Sequence, residues 1–436
     1  MLVKNTKETQ KKLVSLFKTN SSFIRSFSGT AIVKDFLKDR KKFLNLAKKH
    51  ETPFYLFDPR GLSDAVTQFK TAFSKYVPNM YIYYAMKSNP HPYLLKGVVK
   101  EGLGIDCSSG KELKEALQTK AKSIIFTGPA KKTKELELAA ANFKRVMINL
   151  DSVSELKKLE AILKKKKVEV SVGVRIATKH HGNWNKFGVK LTELSNIRSL
   201  IKKNKSLKFM GIQTHMSFNE TAESYVNVIS EIGAYLRKNK ELLADLEYID
   251  LGGGFLPYNQ HGIHPWEDKL GHISQIVNGY FGPQKSFGIK HLPQPAISLE
   301  TYAKEIGVAI KRHLSFYTGK FYFEPGRVIA QSAMHVLLTI EDVKENIAIT
   351  DGGTNMIGWE RFEYDYFPLI NISSPSFTEK EMTIFGSLCT PADVWGFYIF
   401  AKKVSIGDVL LLPNQGAYTF TYAQNFIKEI PPVYSL

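Results

Sequence analysis

The chain has 436 residues, 43% of them hydrophobic, which is enough for a large core and for more than one domain. No stretch approaches the roughly 18 uninterrupted apolar residues of a membrane helix, and the N-terminus lacks the apolar core of a secretory signal. Two cysteines, Cys107 and Cys389, exclude a disulfide framework and a four-cysteine zinc site. We therefore expect a soluble, cytoplasmic protein without a structural metal.

Lysine and arginine outnumber aspartate and glutamate by 60 to 41, a formal charge of +19. The excess is spread thinly, and runs such as residues 164–167 follow an amphipathic helix pattern and are typical of solvated loops. No basic patch alternates with aromatic residues, so we expect no nucleic-acid binding. The first 34 residues are basic and nearly free of acids, which is typical of an exposed helix or of an organelle transit peptide, and we expect the helix.

Eight short apolar or β-branched runs recur between residues 80 and 324, separated by stretches of helical periodicity. In chain order they read MYIYYA, LGIDC, SIIFTG, RVMINL, VSVGVRI, FMGIQTH, LEYIDL and KFYFE. Strands that alternate with helices in this number predict an α/β fold, the (β/α)8 TIM barrel, whose reactive groups lie at the carboxyl ends of the strands.

The pattern changes after residue 330. The runs HVLLTI, NIAIT, MTIFG and DVLLLP are separated by Gly, Pro and Asn and show little helical periodicity, which predicts a second, all-β domain of the barrel or sandwich type. Residues 31–57, including TPFYLFD, are expected to add strand structure to that domain. The predicted organisation is a basic extension over 1–30, the joining segment over 31–57, the barrel over 58–330 and a C-terminal β domain over 331–436.

Ionisable groups and glycines follow the predicted barrel strands. They are, in chain order, Lys87, Asp106, the Gly128-Pro129 turn, Asp151, Arg175, His215, Gly252 with Gly253 and Gly254, and Glu324 with Gly326 and Arg327. A lysine withdrawn from water among aromatic residues can react as a free amine, although a lone lysine at a strand end is more often a surface residue.

The other groups at the strand ends complement that lysine. The backbone N–H groups of three successive glycines can approach a phosphate, and barrels often bind phosphate after strands seven and eight. His215 offers a flat ring, and Glu324 offers a carboxylate for a pyridine nitrogen. A lysine, a phosphate-binding turn, a stacking ring and a carboxylate together predict pyridoxal 5'-phosphate as the cofactor.

From about residue 50 to 430 the sequence resembles the pyridoxal-phosphate decarboxylases of the alanine racemase-like fold, which include diaminopimelate, ornithine and arginine decarboxylases. The resemblance is carried, in shared order, by YAMKSNP, GLGIDCSSGKEL, NKFGV, DLGGGF, EPGR, TDGGTN, Cys389 with Asp393, and GAYTF. It implies the decarboxylation of an L-amino acid to an amine and CO2.

The resemblance also implies roles for individual residues. Lys87 would bind the cofactor as a Schiff base, His215 would stack on its ring, and Glu324 would keep its ring nitrogen protonated. Asp106 and Arg175 would support the lysine side of the pocket, whereas the phosphate would be held by Gly252 to Gly254, Gly326, Arg327 and Tyr418. Cys389 of a partner subunit would complete the site and return a proton to Cα, which implies a homodimer with shared active sites.

Two departures from the family pattern bear on the substrate pocket. Ser217 and Phe218 stand where the family commonly has Gly-Ser, which leaves the role of Ser217 open. Thr390 replaces the acid that follows the cysteine in enzymes acting on diamino acids, while Asp351, Arg361 and Asp393 remain candidates for substrate binding. We therefore favour a modified or carrier-linked amino acid, such as a siderophore or antibiotic precursor, over a free diamino acid such as diaminopimelate or ornithine.

The sequence also allows three other interpretations. A racemase would need an arginine in place of Glu324. A catalytically inactive regulatory homologue would be expected to lack the lysine or the phosphate ligands, and this chain has both. A basic surface protein on a barrel scaffold would show no absorbance from a bound cofactor.

Overall fold

The computed structural model describes residues 27–164, 166, 168–181, 186–264, 290–294, 296–358 and 365–436, and the isolated positions 8, 9, 11, 12, 15, 16 and 273. The chain divides into two compact units. The barrel unit comprises Pro59–Pro257 and Ala296–Gln331, and the β unit comprises Met1–Asp58, Tyr258–Pro295 and Ser332–Leu436. Residues 258–295, which the sequence analysis placed in the barrel domain, are thus part of the β unit.

Over residues 27–58, two α-helices and a strand of the β unit precede the barrel: α1 (Thr30–Phe36), α2 (Arg40–His50) and β1 (Phe54–Phe57). Their apolar side chains share one core with strand residues from the C-terminal part of the chain, and this core includes Val33, Phe43, Phe54 and Leu337. Burial of these side chains therefore anchors the N-terminal helices to the β unit.

Eight parallel strands close into a ring in the barrel unit, with the two-residue strand β7 (Val189–Lys190) alongside. The ring strands are β2 (Met80–Ala85), β3 (Gly104–Cys107), β4 (Ile124–Phe126), β5 (Val146–Leu150), β6 (Val170–Ala177), β8 (Leu207–Gln213), β9 (Tyr248–Asp250) and β12 (Lys320–Phe323). The pairings of β5 with β6 and of β12 with β2 close it. The predicted barrel and its eight strands are confirmed.

The helices of the barrel unit alternate with these strands. They are α3 (Pro59–Ser74), α4 (Pro92–Lys100), α5 (Gly110–Leu117), α6 (Thr133–Ala141), α7 (Val153–Leu163), α8 (Leu194–Lys202), α9 (Glu223–Lys238), α10 (Leu299–His313) and the short α11 (Arg327–Ala330). Ser109, Ser152 and Ser298 cap the first turns of α5, α7 and α10 by accepting backbone N–H groups. These caps fix where the three helices begin, and Ser109 and Ser152 lie two residues after the strands β3 and β5.

Aromatic rings fill the barrel interior. Tyr83, Tyr248 and Tyr322 pack together with Ile125, and the rings of Tyr248 and Tyr322 stack with centroids 4.6 Å apart. Any side chain at Gly173 or Gly211 would overlap the Tyr248 ring. The interior is a packed core, so chemistry is left to the side chains at the strand ends.

The β unit is built on an eight-stranded sheet in the order β14, β17, β18, β16, β19, β13, β1, β20. These strands are β13 (Met334–Lys344), β14 (Ile347–Thr350), β16 (Ile370–Asn371), β17 (Glu379–Phe385), β18 (Val394–Phe400), β19 (Val409–Leu412) and β20 (Val433–Ser435), with β1 antiparallel to β13. A smaller sheet joins β10 (Gly262–Ile263), β11 (Leu292–Pro293) and β15 (Asp365–Tyr366). The predicted second, all-β domain is confirmed.

Across the described ranges, none of the helices combines the length and the apolar character that crossing a bilayer requires.

Candidate active site

The carboxyl ends of the barrel strands gather ionisable side chains at one rim. Neighbouring strands pair Ala85 with Asp106, and Asp250 with both Gln213 and Tyr322. The parallel register therefore brings the residues at and just beyond these strand ends together. The group consists of Lys87, Asp106, Arg175, His215, Asp250 and Glu324. Five of these residues were predicted from the sequence. Asp151, which was also predicted at a strand end, instead accepts the Gly188 N–H at 3.1 Å.

Lys87 lies on a single 3-10 turn, Met86–Ser88, that directly follows β2. The turn is held by buried Ser88, whose Oγ donates to the carbonyl oxygen of Ala85 at 2.8 Å. Within the described residues, no acceptor lies in hydrogen-bonding range of the Lys87 ammonium. Its charge nevertheless lowers the pKa of both Asp106 and Glu324. Lys87 is therefore fixed in place at its backbone while its amine is left without a bonded partner.

Asp106 and Arg175 flank this lysine. Burial raises the pKa of Asp106 to about 8, with a further contribution from the Glu324 carboxylate, although Lys87 and Arg175 act in the opposite direction. One carboxyl oxygen of Asp106, Oδ1, is buried without a hydrogen-bond partner among the described residues. The Arg175 guanidinium lies over the Phe187 ring, 4.2 Å from its centroid. Asp106 can therefore serve as a neutral or a charged partner for a bound group.

His215 carries a neutral ring. Its Nδ1 accepts the N–H of Gly253 at 3.1 Å, and its Nε2 lies 3.2 Å from the Ser217 hydroxyl. Burial, together with the charges of Lys87 and Arg175, holds the pKa of His215 well below its usual value. The proton therefore resides on Nε2, and the ring offers an uncharged flat face. Ser217, whose role the sequence left open, is placed to fix that tautomer.

Glu324 is buried at the end of β12, and the Gln213 amide donates to both of its carboxylate oxygens at 3.3 Å. Burial raises the pKa of Glu324, but Lys87, Asp250, Arg175 and Gln213 all act to lower it. The pKa of Glu324 stays above its usual value, but these hydrogen bonds and the two cations partly offset the effect of burial.

The triple glycine forms a turn that tolerates no side chain. Gly252 has φ +71°, and a Cβ at Gly253 would overlap the carbonyl oxygen of Glu324. The N–H groups of Gly252 and Gly253 are already used, by Asp250 at 2.9 Å and by His215. All three glycine N–H groups were expected to bind phosphate, but in the described residues only the N–H of Gly254 has no acceptor.

The segment after Glu324 packs on the lysine turn. A Cβ at Gly326 would lie 3.1 Å from Cβ of Ser88. Helix α11 begins at Arg327, immediately beyond. The first N–H groups of a helix have no partner within it, so this segment adds donors to the same rim.

The β unit holds the other predicted site residues. Cys389 is exposed, while Asp393 is buried and its carboxylate accepts the N–H and hydroxyl of Thr354 and the N–H of Leu388. The Thr390 N–H donates to the Leu388 carbonyl at 2.8 Å. The Asp393 carboxylate, predicted to bind substrate, is thus occupied in holding the loop that presents Cys389.

Asp351 is similarly engaged within the β unit. Its carboxylate accepts the Thr52 hydroxyl and, at 2.9 Å, the N–H of Thr339. Tyr418 has a positive φ of 56°, and its ring stacks with that of Tyr422. Arg361, also predicted to bind substrate, lies outside the described residues.

Sequence reasoning missed Asp250 and Gln213, which hold Gly252 and Glu324. Both are polar residues at the last position of a strand. Asp250 is also the first letter of the DLGGGF motif. Either signal could have identified them, since a buried polar side chain at the carboxyl end of a barrel strand faces the site.

A barrel rim with these groups defines a class of pyridoxal-phosphate enzymes, and comparisons with known proteins identify the family. Residues 62–331 match the model of the pyridoxal-dependent decarboxylase, pyridoxal binding domain, so the chain belongs to the pyridoxal-dependent decarboxylase family. It is accordingly a pyridoxal-phosphate-dependent carboxy-lyase that acts on an amino acid.

Relatives match along nearly the whole chain. The chain is 25% identical to a diaminopimelate decarboxylase of Bacteroides thetaiotaomicron over 88% of this chain and 95% of that protein. It is 27% identical to an L-glutamyl-[BtrI acyl-carrier protein] decarboxylase of Niallia circulans over 91% of each. The crystal structure of Helicobacter pylori diaminopimelate decarboxylase complexed with L-lysine shares the fold, with a TM-score of 0.72 and 23% identity over 90% of this chain and 94% of that one.

The rim fits this cofactor in its donor chemistry. Among the described residues the Lys87 amine has no bonded partner, one buried oxygen of Asp106 is unpartnered, and the Glu324 carboxyl group accepts the Gln213 amide. The N–H of Gly254 is a further hydrogen-bond donor that could bind the phosphate. These are groups that an aldehyde, a pyridine nitrogen and a phosphate would use.

Proposed function

We propose that this decarboxylase acts on an L-amino acid whose distal end is modified or attached to a carrier protein. The observation that carries the proposal is that the β unit has no acidic residue directly after Cys389 and that its two candidate aspartates are hydrogen-bonded within the unit. Thr390 follows Cys389 where a diamino acid enzyme would have an acid, and the carboxylates of Asp351 and Asp393 are bonded within their own unit. A second ammonium withdrawn from water needs a countercharge, and the carboxylates of both aspartates are already directed at donors of their own unit.

The relatives support both this proposal and its alternative. The Niallia circulans protein is named for a glutamyl group on an acyl-carrier protein, whereas the Bacteroides thetaiotaomicron protein is named for free diaminopimelate. Their identities to this chain are 27% and 25%, too similar to decide. The formal charge of +19 suits an acidic carrier, because opposite net charges steer association. A free diamino acid such as diaminopimelate or ornithine remains the second candidate.

Bound pyridoxal phosphate would supply the electron sink for the pair left at Cα when CO2 departs. Lys87 would hold it covalently through Nζ, and Glu324 would place a negative charge at the pyridine nitrogen. His215 would present its neutral ring face. Gly254, Gly326, Arg327 and Tyr418 would provide donors for the phosphate, while Asp106 and Arg175 would set the charge around Lys87.

Cys389 would return the proton to Cα. His215 is neutral and its Nε2–H is directed at Ser217, so it is a poor acid for that step. The Cys389 thiol is exposed, whereas Cys107 is buried at the end of β3. A thiol that is free to reach a bound group is the better proton donor of the two.

A CO2-release assay with added cofactor tests the substrate class. We expect conjugated amino acids, including aminoacyl carrier proteins, to exceed free diaminopimelate, lysine, arginine and ornithine in kcat/KM. A value at or above about 10⁴ M⁻¹s⁻¹ for any of those free amino acids would defeat the proposal. Cofactor binding without CO2 release from any substrate would instead favour an inactive regulatory homologue.

Thr390 offers a sharper test. Thr390→Asp places a negative charge beside Cys389 and should raise the ratio of kcat/KM for a free diamino acid to that for a conjugate. Thr390→Asn is the matched neutral control and should leave the ratio where it is. Equal ratios in the two variants would show that this position does not meet the distal group.

We further propose a cytoplasmic homodimer in which Cys389 completes the partner's site. Mixing Lys87→Met chains with Cys389→Ala chains should restore about a quarter of wild-type activity, because half of the random pairs are heterodimers with one intact site of two. Lys87→Met mixed with Glu324→Gln is the control, since both changes fall in one barrel and no site is intact. Equal activity in the two mixtures, after verified subunit exchange, would mean that each chain builds its own site.

A further inference from the structure

We propose that Asp250 is a positioning residue that carries a proton, and that it joins Glu324 to the glycine turn by accepting from Gly252 and donating toward the Glu324 carboxylate. This inference rests on the cofactor site and not on the choice of substrate. Asp250 would neither touch the substrate nor act as an acid in the reaction.

The backbone places the two carboxyl groups side by side. Strands β9 and β12 are parallel neighbours, with the Leu251 N–H donating to the Tyr322 carbonyl at 2.9 Å and the Glu324 N–H donating to the Gly252 carbonyl at 2.8 Å. Asp250 is fully buried and Glu324 is 2% exposed. Two buried carboxyl groups on adjacent strands cannot both remain charged, so they share a proton.

Asp250 has two different oxygens. Oδ1 accepts the Gly252 N–H at 2.9 Å, which holds the first glycine of the turn in its left-handed conformation. Oδ2 is buried and has no conventional hydrogen-bond partner among the described residues. Such an oxygen gains a hydrogen-bond partner if it carries a proton and donates a hydrogen bond to the nearby carboxylate.

The surroundings decide which acid holds the proton. Gln213 donates its amide to both oxygens of Glu324, and a donated hydrogen bond favours the charged form. Lys87 and Arg175 also favour a charged Glu324. Burial raises the pKa of Asp250 well above its usual value, and the Glu324 and Asp106 charges raise it further. The hydrogen bonds and the charges both place the proton on Asp250.

The first test uses cofactor affinity and the absorbance of the bound cofactor. Asparagine has the shape and neutrality of a protonated aspartate, with an oxygen for Gly252 and an N–H for Glu324. Asp250→Asn should therefore bind pyridoxal phosphate within about threefold of wild type and with the same spectrum. Asp250→Ala leaves the Gly252 N–H unsatisfied and should weaken binding about tenfold or more. An asparagine variant as impaired as the alanine variant would overturn the proposal, because the site would then require the charge.

The second test uses the apoprotein and needs no reaction. A group whose folded pKa is raised stabilises the fold below its unfolded pKa and loses that stability as the pH rises. The Tm of Asp250→Asn relative to wild type should therefore increase from pH 5 to pH 8. Asp245→Asn is the matched control. Burial acts to raise the pKa of Asp245, but hydrogen bonds from Lys202 and Arg198 lower it overall. The Tm of this variant should therefore lie below that of wild type by the same amount from pH 5 to pH 8. A difference in Tm between Asp250→Asn and wild type that does not change with pH would refute the protonated state of Asp250.

Discussion

Two lysines follow strands of the same barrel, and they differ in what surrounds their ammonium groups. Lys131, after β4, is 2% exposed and donates to the carbonyls of Gly128 and Asn149 at 2.7 and 2.8 Å and to Glu155 at 2.7 Å. Lys87, after β2, has no acceptor in range among the described residues, although its charge acts on Asp106 and Glu324.

The difference in hydrogen-bond partners distinguishes a lysine that stabilises the fold from one whose amine is available to a ligand. An ammonium has three donors, and Lys131 uses all three inside the protein. Removing such a group from its site would leave a buried carboxylate without a countercharge. Lys87 has the carboxyl groups of Asp106 and Glu324 nearby but makes no hydrogen bond to either among the described residues, so we expect a ligand to take up its amine at little cost to the fold. Burial alone therefore does not predict a reactive lysine; we expect reactivity where the ammonium lacks a complete set of partners.

The same substitution at both lysines tests this contrast, and the largest effect is expected at Lys87. Lys87→Met should abolish the visible absorbance of the bound cofactor and lower turnover by about 10³-fold or more, because the covalent anchor is lost. Its free energy of unfolding should change less than that of Lys131→Met. An unchanged visible spectrum would remove Lys87 from the site.

Lys131→Met should lower the free energy of unfolding by about 3–5 kcal/mol, because it leaves Glu155 buried and unpaired. Denaturant unfolding of the apoprotein measures this loss. The double variant Lys131→Met with Glu155→Leu should recover most of it, since no charge is then left buried. A single variant as stable as wild type would mean that the ion pair is dispensable.

Arg327→Ala extends the comparison to a cation that is expected to bind the cofactor phosphate. Its effect should be smaller than those of the two lysine substitutions. We expect cofactor affinity to fall by about 1.5–3 kcal/mol, the contribution of a hydrogen bond to a charged group. Arg198→Ala is the matched control, because Arg198 is bonded to Asp245 through its Nε at 2.6 Å and belongs to α8. Equal cofactor affinity in the two variants would exclude Arg327 from phosphate binding.

The barrel could be predicted from the sequence because its buried parallel strands are continuous apolar runs, and each of the eight was found. The segment 258–295 could not be assigned to the β unit, because its strands Gly262–Ile263 and Leu292–Pro293 are too short to show any periodicity.

The positions of Lys87, His215 and Glu324 at the barrel rim could be predicted, because each lies in a motif that follows a strand; their roles stay predictions. The roles of Asp250 and Gln213 depend on which strands are neighbours, and a sequence without its topology does not supply that. The difference between Lys87 and Lys131 was likewise hidden, because Glu155 lies 24 residues beyond Lys131.

The chain passes between the two units several times, which limits how the protein can be divided into fragments. Residues 258–295 interrupt the barrel unit in sequence, yet β10 pairs with β15 and the His291 carbonyl accepts the N–H of Phe27 at 2.9 Å. A gene fragment that ends after Gln331 would still encode this segment but not β15. Neither unit corresponds to one continuous stretch of coding sequence, so a shuffling event or a truncation at a single point cannot transfer the barrel intact.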